Sequence, residues 1–363
     1  MRRITQLDGV RGIAILLVLV WHYFYCPLAA APPSLLAYCR NAFLLAWSGV
    51  DLFFVLSGFL IVGILLDNCR SPYDLRVFFI RRACRIFPLY YLLLGLFVLL
   101  SETPLAASPT FRDLFHDPFP LWSYATFTQN FLMGAQGGFG APWLGITWSL
   151  AIEEQFYLLI PWLVFFLSRR TLFCALLLLI LLAPALRFAS GGFHAFVLAP
   201  WRSDALLSGA LLAVLVRWPP FLPLVRMHRR LVMLLLGVML ALVAAITIRP
   251  GLLGALPHFF LAALYALFVL VAFSDIEPLL GRVLQSPLLV WFGHRAYGIY
   301  LFHIAIGGLL FGALRGGGQR IVSLPDAGIT ILALFSTLLI ADMSYRYFEE
   351  PILRFGHRVH YHN

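Results

Sequence analysis

Arg11 and His22 stand eleven positions apart inside the apolar opening segment LDGVRGIAILLVLVWHYF. On a straight helix that interval returns to within about 20° of its starting direction, so both side chains share a face, roughly 16 Å apart along the axis. Asp8, three residues before Arg11, falls at helical pairing distance. Ionisable groups on a helix that crosses hydrocarbon are expensive, and they are expected to have partners and a task. An imidazole there suits general-base or acyl-carrying chemistry, and a guanidinium suits an anion. The plainer reading, that Asp8 and Arg11 sit at headgroup level, leaves His22 unexplained.

Other polar groups interrupt later apolar runs. In GVDLFFVLSGFLI, residues 49–61, Asp51 needs an arginine or histidine from a neighbouring span, while Ser57 and Gly58 read as a small-residue contact between helices. FFIRRACRIFPLYY, residues 78–91, gathers Arg81, Arg82 and Arg85. A positive anchor is the simpler reading of these three, and a bidentate clamp for phosphate oxygens is the chemical one. In TWSLAIEEQFYLLIP, residues 147–161, Glu153 and Tyr157 share a face and Glu154 points about 100° away. Acidic residues suit the dipole of a first helical turn, yet two carboxylates beside an apolar run are not ordinary solvated charges. PWRSDALLSG carries Arg202 and Asp204, and GHRAYGIYLFH strings His294, Arg295, Tyr297, Tyr300 and His303 along one segment, with Tyr300 and His303 at helical contact spacing. YFEEPILR, residues 347–354, reads as a helix terminus tied back by ion pairs.

The elements that must position these groups follow from composition. The 363 residues are 62% hydrophobic and only 12% charged, with a mean hydropathy of +0.91. A soluble domain would carry about a quarter charged residues. The chain is therefore expected to be an all-α polytopic transmembrane bundle, residues 1–363 forming one integral domain, because helices satisfy their own backbone within lipid. Spans are expected near 9–26, 44–66, 84–101, 144–167, 171–188, 204–217, 231–248, 258–274, 286–307 and 327–347. Residues 122–133, WSYATFTQNFLM, are too short to span and are expected to be re-entrant or interfacial. The first segment lacks a small-residue cleavage site and reads as a retained helix.

All 26 basic residues other than histidine are arginines. With the N-terminus inside, seventeen fall in cytoplasmic segments against seven outside, which places both termini in the cytoplasm. The net charge of +10 is thus a topology signal, and its dispersal argues against nucleic-acid binding. The five cysteines show no metal-ligand spacing, and no metal site is expected; Cys26 and Cys39 both fall on the outer side, where a disulfide is possible. No internal repeat is visible, which weighs against a transporter.

Together these segments resemble the acyltransferase-3 family of bacterial membrane O-acyltransferases. The likeness rests on LDGVRGIAILLVLVWHYF, GVDLFFVLSGFLI, IRRACRIFPLYY, TWSLAIEEQFYLLIP, WRSDALLSG, YGIYLFH and EEPILR, in that order from Leu7 to Arg354. The resemblance implies transfer of an acyl group, typically acetyl, from cytoplasmic acetyl-CoA to a hydroxyl presented at the other face, in a bacterial inner membrane. It also implies that Arg11 and His22 are the essential arginine and histidine, that Arg81 and Arg82 meet the coenzyme with Arg85 beside them, and that Glu153 is the acidic position of the WSL motif. Many relatives carry an added soluble hydrolase-like domain; a two-domain mechanism is not expected of this chain alone.

The expected mechanism rests the nucleotide of acyl-CoA on Arg81 and Arg82 and carries its thioester up toward His22. His22 then acts as general base or carries the acyl group itself, and either route needs a neutral imidazole. Glu153 or Asp51 would orient that ring, Arg11 would counter charge at the thioester, and Asp8, Asp204, Tyr300 and His303 would support the site. The expected partners are acyl-CoA, a glycan or glycosylated acceptor and the lipid bilayer. A transporter or flippase of a glycan-type substrate is the alternative, since buried Arg, Asp, Glu and His also build transport pathways.

Overall fold

Long leucine, valine and phenylalanine runs leave the backbone no partner in lipid but itself, and the chain winds accordingly into helices. The computed structural model describes residues 4–28, 40–69, 71–249, 254 and 256–361. Ten long helices follow one another: α1 (Thr5–Val20), α2 (Gly49–Asn68), α3 (Pro72–Ser101), α4 (Trp148–Phe166), α5 (Arg169–Ala189), α6 (Ala199–Leu215), α7 (Arg229–Ile248), α8 (Pro257–Ser274), α9 (Pro287–Arg315) and α10 (Leu324–Ser344). A shorter α11 (Glu350–His357) follows a π turn at Tyr345–Glu349. With their flanking turns these give ten segments long and apolar enough to cross a membrane, and among the described residues no sheet forms. The protein is an integral membrane protein.

Three spans depart from the sequence expectation. α3 begins at Pro72 instead of near residue 84, because Ser71 and Asp74 form a capping box and proline suits the first helical position. Its 30 residues reach about 45 Å, against about 30 Å of hydrocarbon, so the arginine-bearing turns extend the span beyond the apolar core. The sixth span starts at His194, and the ninth runs on to Arg315. Residues 122–133 fold into two short helices, Leu121–Ala125 and Gln129–Gln136, with Gln129 and Asn130 fully buried. Cys39 lies outside the described residues, so the Cys26–Cys39 pairing does too.

Glycines set the closest approaches. A Cβ on Gly58 of α2 would lie 1.8 Å from the Leu206 carbonyl oxygen of α6, and one on Gly209 of α6 would lie 1.9 Å from that of Val55. Each glycine seats the other helix's backbone, the arrangement small residues permit in membranes. α1 is pressed against α9 in the same way: a Cβ on Gly12 would meet the Leu289 oxygen at 2.1 Å, and one on Gly293 the Asp8 oxygen at 2.0 Å. Ion pairs close both ends of the α2–α6 contact. Asp51 meets Arg202 at 3.0 Å, and Asp67 takes a bidentate pair of 2.7 Å bonds from Arg217. α7 is peripheral, with 11% of its apolar window buried.

α1 ends irregularly. Trp21–Tyr25 form a π turn in which the Cys26 amide donates to the Trp21 carbonyl, 2.9 Å away and five residues back. His22 sits in that turn.

Candidate functional site

α1, α2, α3, α4 and α9 enclose a cavity of about 100 Å³ lined by Arg11, Ser57, Arg82, Arg85, Ser149, Glu153, Tyr157, Tyr297 and Tyr300 among apolar side chains. α1 supplies Arg11, whose Nη1 donates to Asp8 Oδ1 at 3.1 Å; His294 Nε2 stands 3.5 Å from the other Asp8 oxygen. α2 supplies Ser57, which donates to Glu153 at 2.7 Å. The small-residue reading of the Ser-Gly pair therefore holds for Gly58 alone, because Ser57 turns away from α6 and onto the α4 carboxylate. Glu153 and Tyr157, one turn apart, both line the cavity, whereas Glu154 is not among its lining residues.

Arg85 is the side chain common to three neighbouring cavities. One is the central chamber; a second lies beside Asp8, Arg11, His294, Tyr345, Glu349 and His357; a third lies beside Asn68, Arg81, Arg82, His357 and Tyr361. These connect the interior to the end of the bundle where α3 begins. Arg81 is already engaged there: its Nε and Nη2 donate to the Val359 carbonyl at 3.0 and 2.7 Å, and its guanidinium lies 4.7 Å from the Tyr361 ring centre. Burial pushes the Tyr361 phenol above its usual range. The ion pairs expected around YFEEPILR are present, Glu350 with Arg354 at 2.8 Å and Arg346 with Asp342 at 2.8 Å.

At its other extremity the cavity meets Tyr300, whose hydroxyl lies 2.6 Å from Ser149 Oγ and donates to the Ile146 carbonyl at 2.9 Å. His22 does not line the cavity. It lies behind Tyr300 and His303: the Tyr300 and His303 ring centres are 5.8 Å apart, and those of His303 and His22 are 4.8 Å apart. His22 Nδ1 pairs with the Val18 carbonyl at 2.9 Å and His303 Nδ1 with the Tyr300 carbonyl at 2.7 Å. A carbonyl only accepts, so both rings carry the proton on Nδ1 and leave Nε2 as an acceptor. Tyr23, not singled out in the sequence, fixes this corner by donating to the His303 carbonyl at 2.8 Å and pairing with Thr337 at 2.7 Å. Its adjacency to His22 was the only signal available.

Asp51 and Asp204 lie elsewhere. Asp51 is held by Arg202, with His258 Nδ1 at 3.6 Å, so it does not orient His22; the expected partner arrived as both an arginine and a histidine. Arg202 also contacts His258 directly and faces the rings of Trp148 and Phe196 at 5.8 and 5.3 Å. Asp204 accepts from Arg187 at 2.6 Å, which ties α5 to α6. Both carboxylates are 1% exposed. They act as buried joints between helices at some distance from the cavity. Among the described residues no cluster of three or more His, Cys, Asp or Glu could hold a metal ion.

Chemically, the cavity can receive an anion at its guanidinium-lined end and a narrow uncharged chain farther in, with two basic imidazole nitrogens beyond Tyr300. Comparison with known proteins bears on what that arrangement is for. The chain is 26% identical over 372 residues to the "Peptidoglycan O-acetyltransferase OatA" of Listeria monocytogenes, covering 97% of this chain and 56% of that protein. It is 28% identical over 378 residues to the "O-acetyltransferase OatA" of Staphylococcus aureus, covering 99% of this chain and 58% of that protein. The chain thus spans a little over half the length of these curated relatives. No solved structure matches it. The family model described as "Acyltransferase domain" matches residues 4–346, a stretch that takes in all ten long helices, and on that match the chain belongs to the acyltransferase-3 family.

Proposed function

We propose that this protein is a bacterial inner-membrane O-acyltransferase that takes an acetyl group from cytoplasmic acetyl-CoA and delivers it to a hydroxyl of a cell-surface glycan. The observation that carries the proposal is the convergence of Arg11, Arg82, Arg85 and Glu153 on one cavity whose far end is closed by Tyr300 in front of the His303–His22 pair. Guanidinium groups grip phosphate oxygens bidentately and stay charged at any working pH, which suits the nucleotide end of the donor. The phosphates rest at Arg82 and Arg85, with Arg81 at the rim, and both chain termini lie on that cytoplasmic side. The pantetheine arm extends past Glu153 and Ser57 toward Tyr300. Arg11 offsets charge that develops on the thioester oxygen. Glu153, held by Ser57, keeps the arginines in place and does not touch the His22 ring. His22, with its proton fixed on Nδ1 by Val18, presents Nε2 as base or acyl carrier. The name of the Listeria relative favours a peptidoglycan-type acceptor.

The test uses the full chain, purified in detergent and reconstituted in liposomes with [14C]acetyl-CoA. Release of CoA, lost in His22→Ala and weakened in Arg85→Ala, supports the reading. Movement of a glycan across the liposome with no CoA released replaces it with the transporter reading. In cells, mass spectrometry of surface glycans with wild-type and His22→Ala protein identifies the acceptor by the ester that disappears.

A further inference from the structure

We infer that His22 and His303 divide the chemistry between them, His22 carrying the acyl group and His303 taking the proton of the acceptor hydroxyl. This rests on the acyltransferase reading above and goes beyond it by assigning the second imidazole a step of its own.

Three observations carry it. The rings stand 4.8 Å apart, inclined at 63°. Both are held in the same tautomer by a carbonyl of their own helix, Val18 for His22 and Tyr300 for His303. His303 Nε2 is buried and has no hydrogen-bond partner, in a residue with no exposed surface. A buried acceptor without a donor costs about 1–3 kcal/mol, and such a group in a native site calls for an explanation. Nothing structural requires it: Tyr23 anchors this turn of α9 through the His303 backbone carbonyl, not through the ring. A hydroxyl entering between the two imidazoles is the donor that His303 Nε2 lacks.

The steps balance. His22 Nε2 attacks the thioester carbonyl, the C–S bond breaks and CoA leaves as thiolate, while Nδ1–H stays on the Val18 carbonyl. The acceptor oxygen then attacks the acyl carbonyl, its proton passes to His303 Nε2, the C–N bond breaks, and the electron pair returns to His22. The proton on His303 is finally lost to the thiolate, so thioester plus alcohol gives ester plus thiol.

The experiment follows the two half-reactions separately in the full chain in detergent, with [14C]acetyl-CoA as donor and 1 M glycerol as an unspecific hydroxyl probe. His303→Asn keeps an amide donor for the Tyr300 carbonyl and removes Nε2; His303→Gln serves as the second variant should the first not give monodisperse protein. The expected result is that the variant still releases one equivalent of CoA per protein, retains label on His22, and passes it to water and glycerol about 10²-fold or more slowly than wild type. Hydroxylamine, which needs no base, discharges wild type and variant alike. A merely structural role for His303 would slow both half-reactions together, and that outcome overturns the inference. So does a variant that discharges at the wild-type rate, or one that releases CoA with no label on His22. Wild-type protein that releases no CoA sinks the acyltransferase reading itself, a result distinct from all of these.

Discussion

Replacing Arg85 by alanine removes the guanidinium that borders the central chamber and both cavities at the α3 end. A hydrogen-bonded contact to a charged group contributes about 1.5–3 kcal/mol, which corresponds to about a 10- to 150-fold rise in KM for acetyl-CoA. Because a phosphate contact holds ground state and transition state equally, kcat should change little. Arg81 is already occupied by the Val359 carbonyl and the Tyr361 ring, so Arg81→Ala should raise KM only a few-fold. The discriminating substrate is acetyl-pantetheine, which keeps the thioester and lacks the nucleotide. With it the Arg85→Ala penalty should vanish, and Arg85→Lys should recover part of the acetyl-CoA affinity but not the bidentate geometry. A loss of equal size with both donors, or a fall in kcat with KM unchanged, would refute the idea that Arg85 reads phosphate.

Gly58→Ala places a methyl 1.8 Å from the Leu206 oxygen and forces α2 from α6, costing about 1–3 kcal/mol; a thermal melt in detergent should show a lower midpoint, while Gly237→Ala on α7, with nothing within 4 Å, should not. Arg202→Met leaves Asp51 buried with only His258 beside it and should destabilise by about 3–5 kcal/mol; adding Asp51→Asn should return much of that, and simple additivity in the double variant would contradict the pairing. Burial pushes the Cys69 thiol up to about 12, with Asp74 adding to the shift. Since only the thiolate reacts, maleimide labelling of Cys69 at pH 8 should run roughly a thousandfold slower than for an ordinary thiol and keep rising through pH 10; a plateau near pH 8.5 would show an ordinary thiol.

Much of this architecture was legible because hydrocarbon imposes one rule on every span, and a long apolar run has few ways to obey it. Asp51 announced a missing partner, and its chemistry called for a cation on a neighbouring helix. Which neighbour was not legible, because Arg202 and His258 are about 150 and 200 residues away in sequence. The early start of α3 was hidden by its arginines, which lower the apolar signal in turns held by the Ser71–Asp74 cap. Ser57 shows the limit of motif reading: beside Gly58 it looked like part of a packing notch, and one step of 100° around the helix put it on a carboxylate instead. Tyr23 and Thr337 carried no signal, since their role depends on α1, α9 and α10 meeting at one point.

The wide turn at Trp21–Tyr25 holds one residue more than an ordinary helical turn would. Excising a single residue there would restore regular winding and swing whatever follows by about 100° relative to Arg11. The first helix is therefore cut to length as well as to composition. A deletion scan along it should find a notch at this turn where the chain still folds and inserts while the aim of its imidazole is lost.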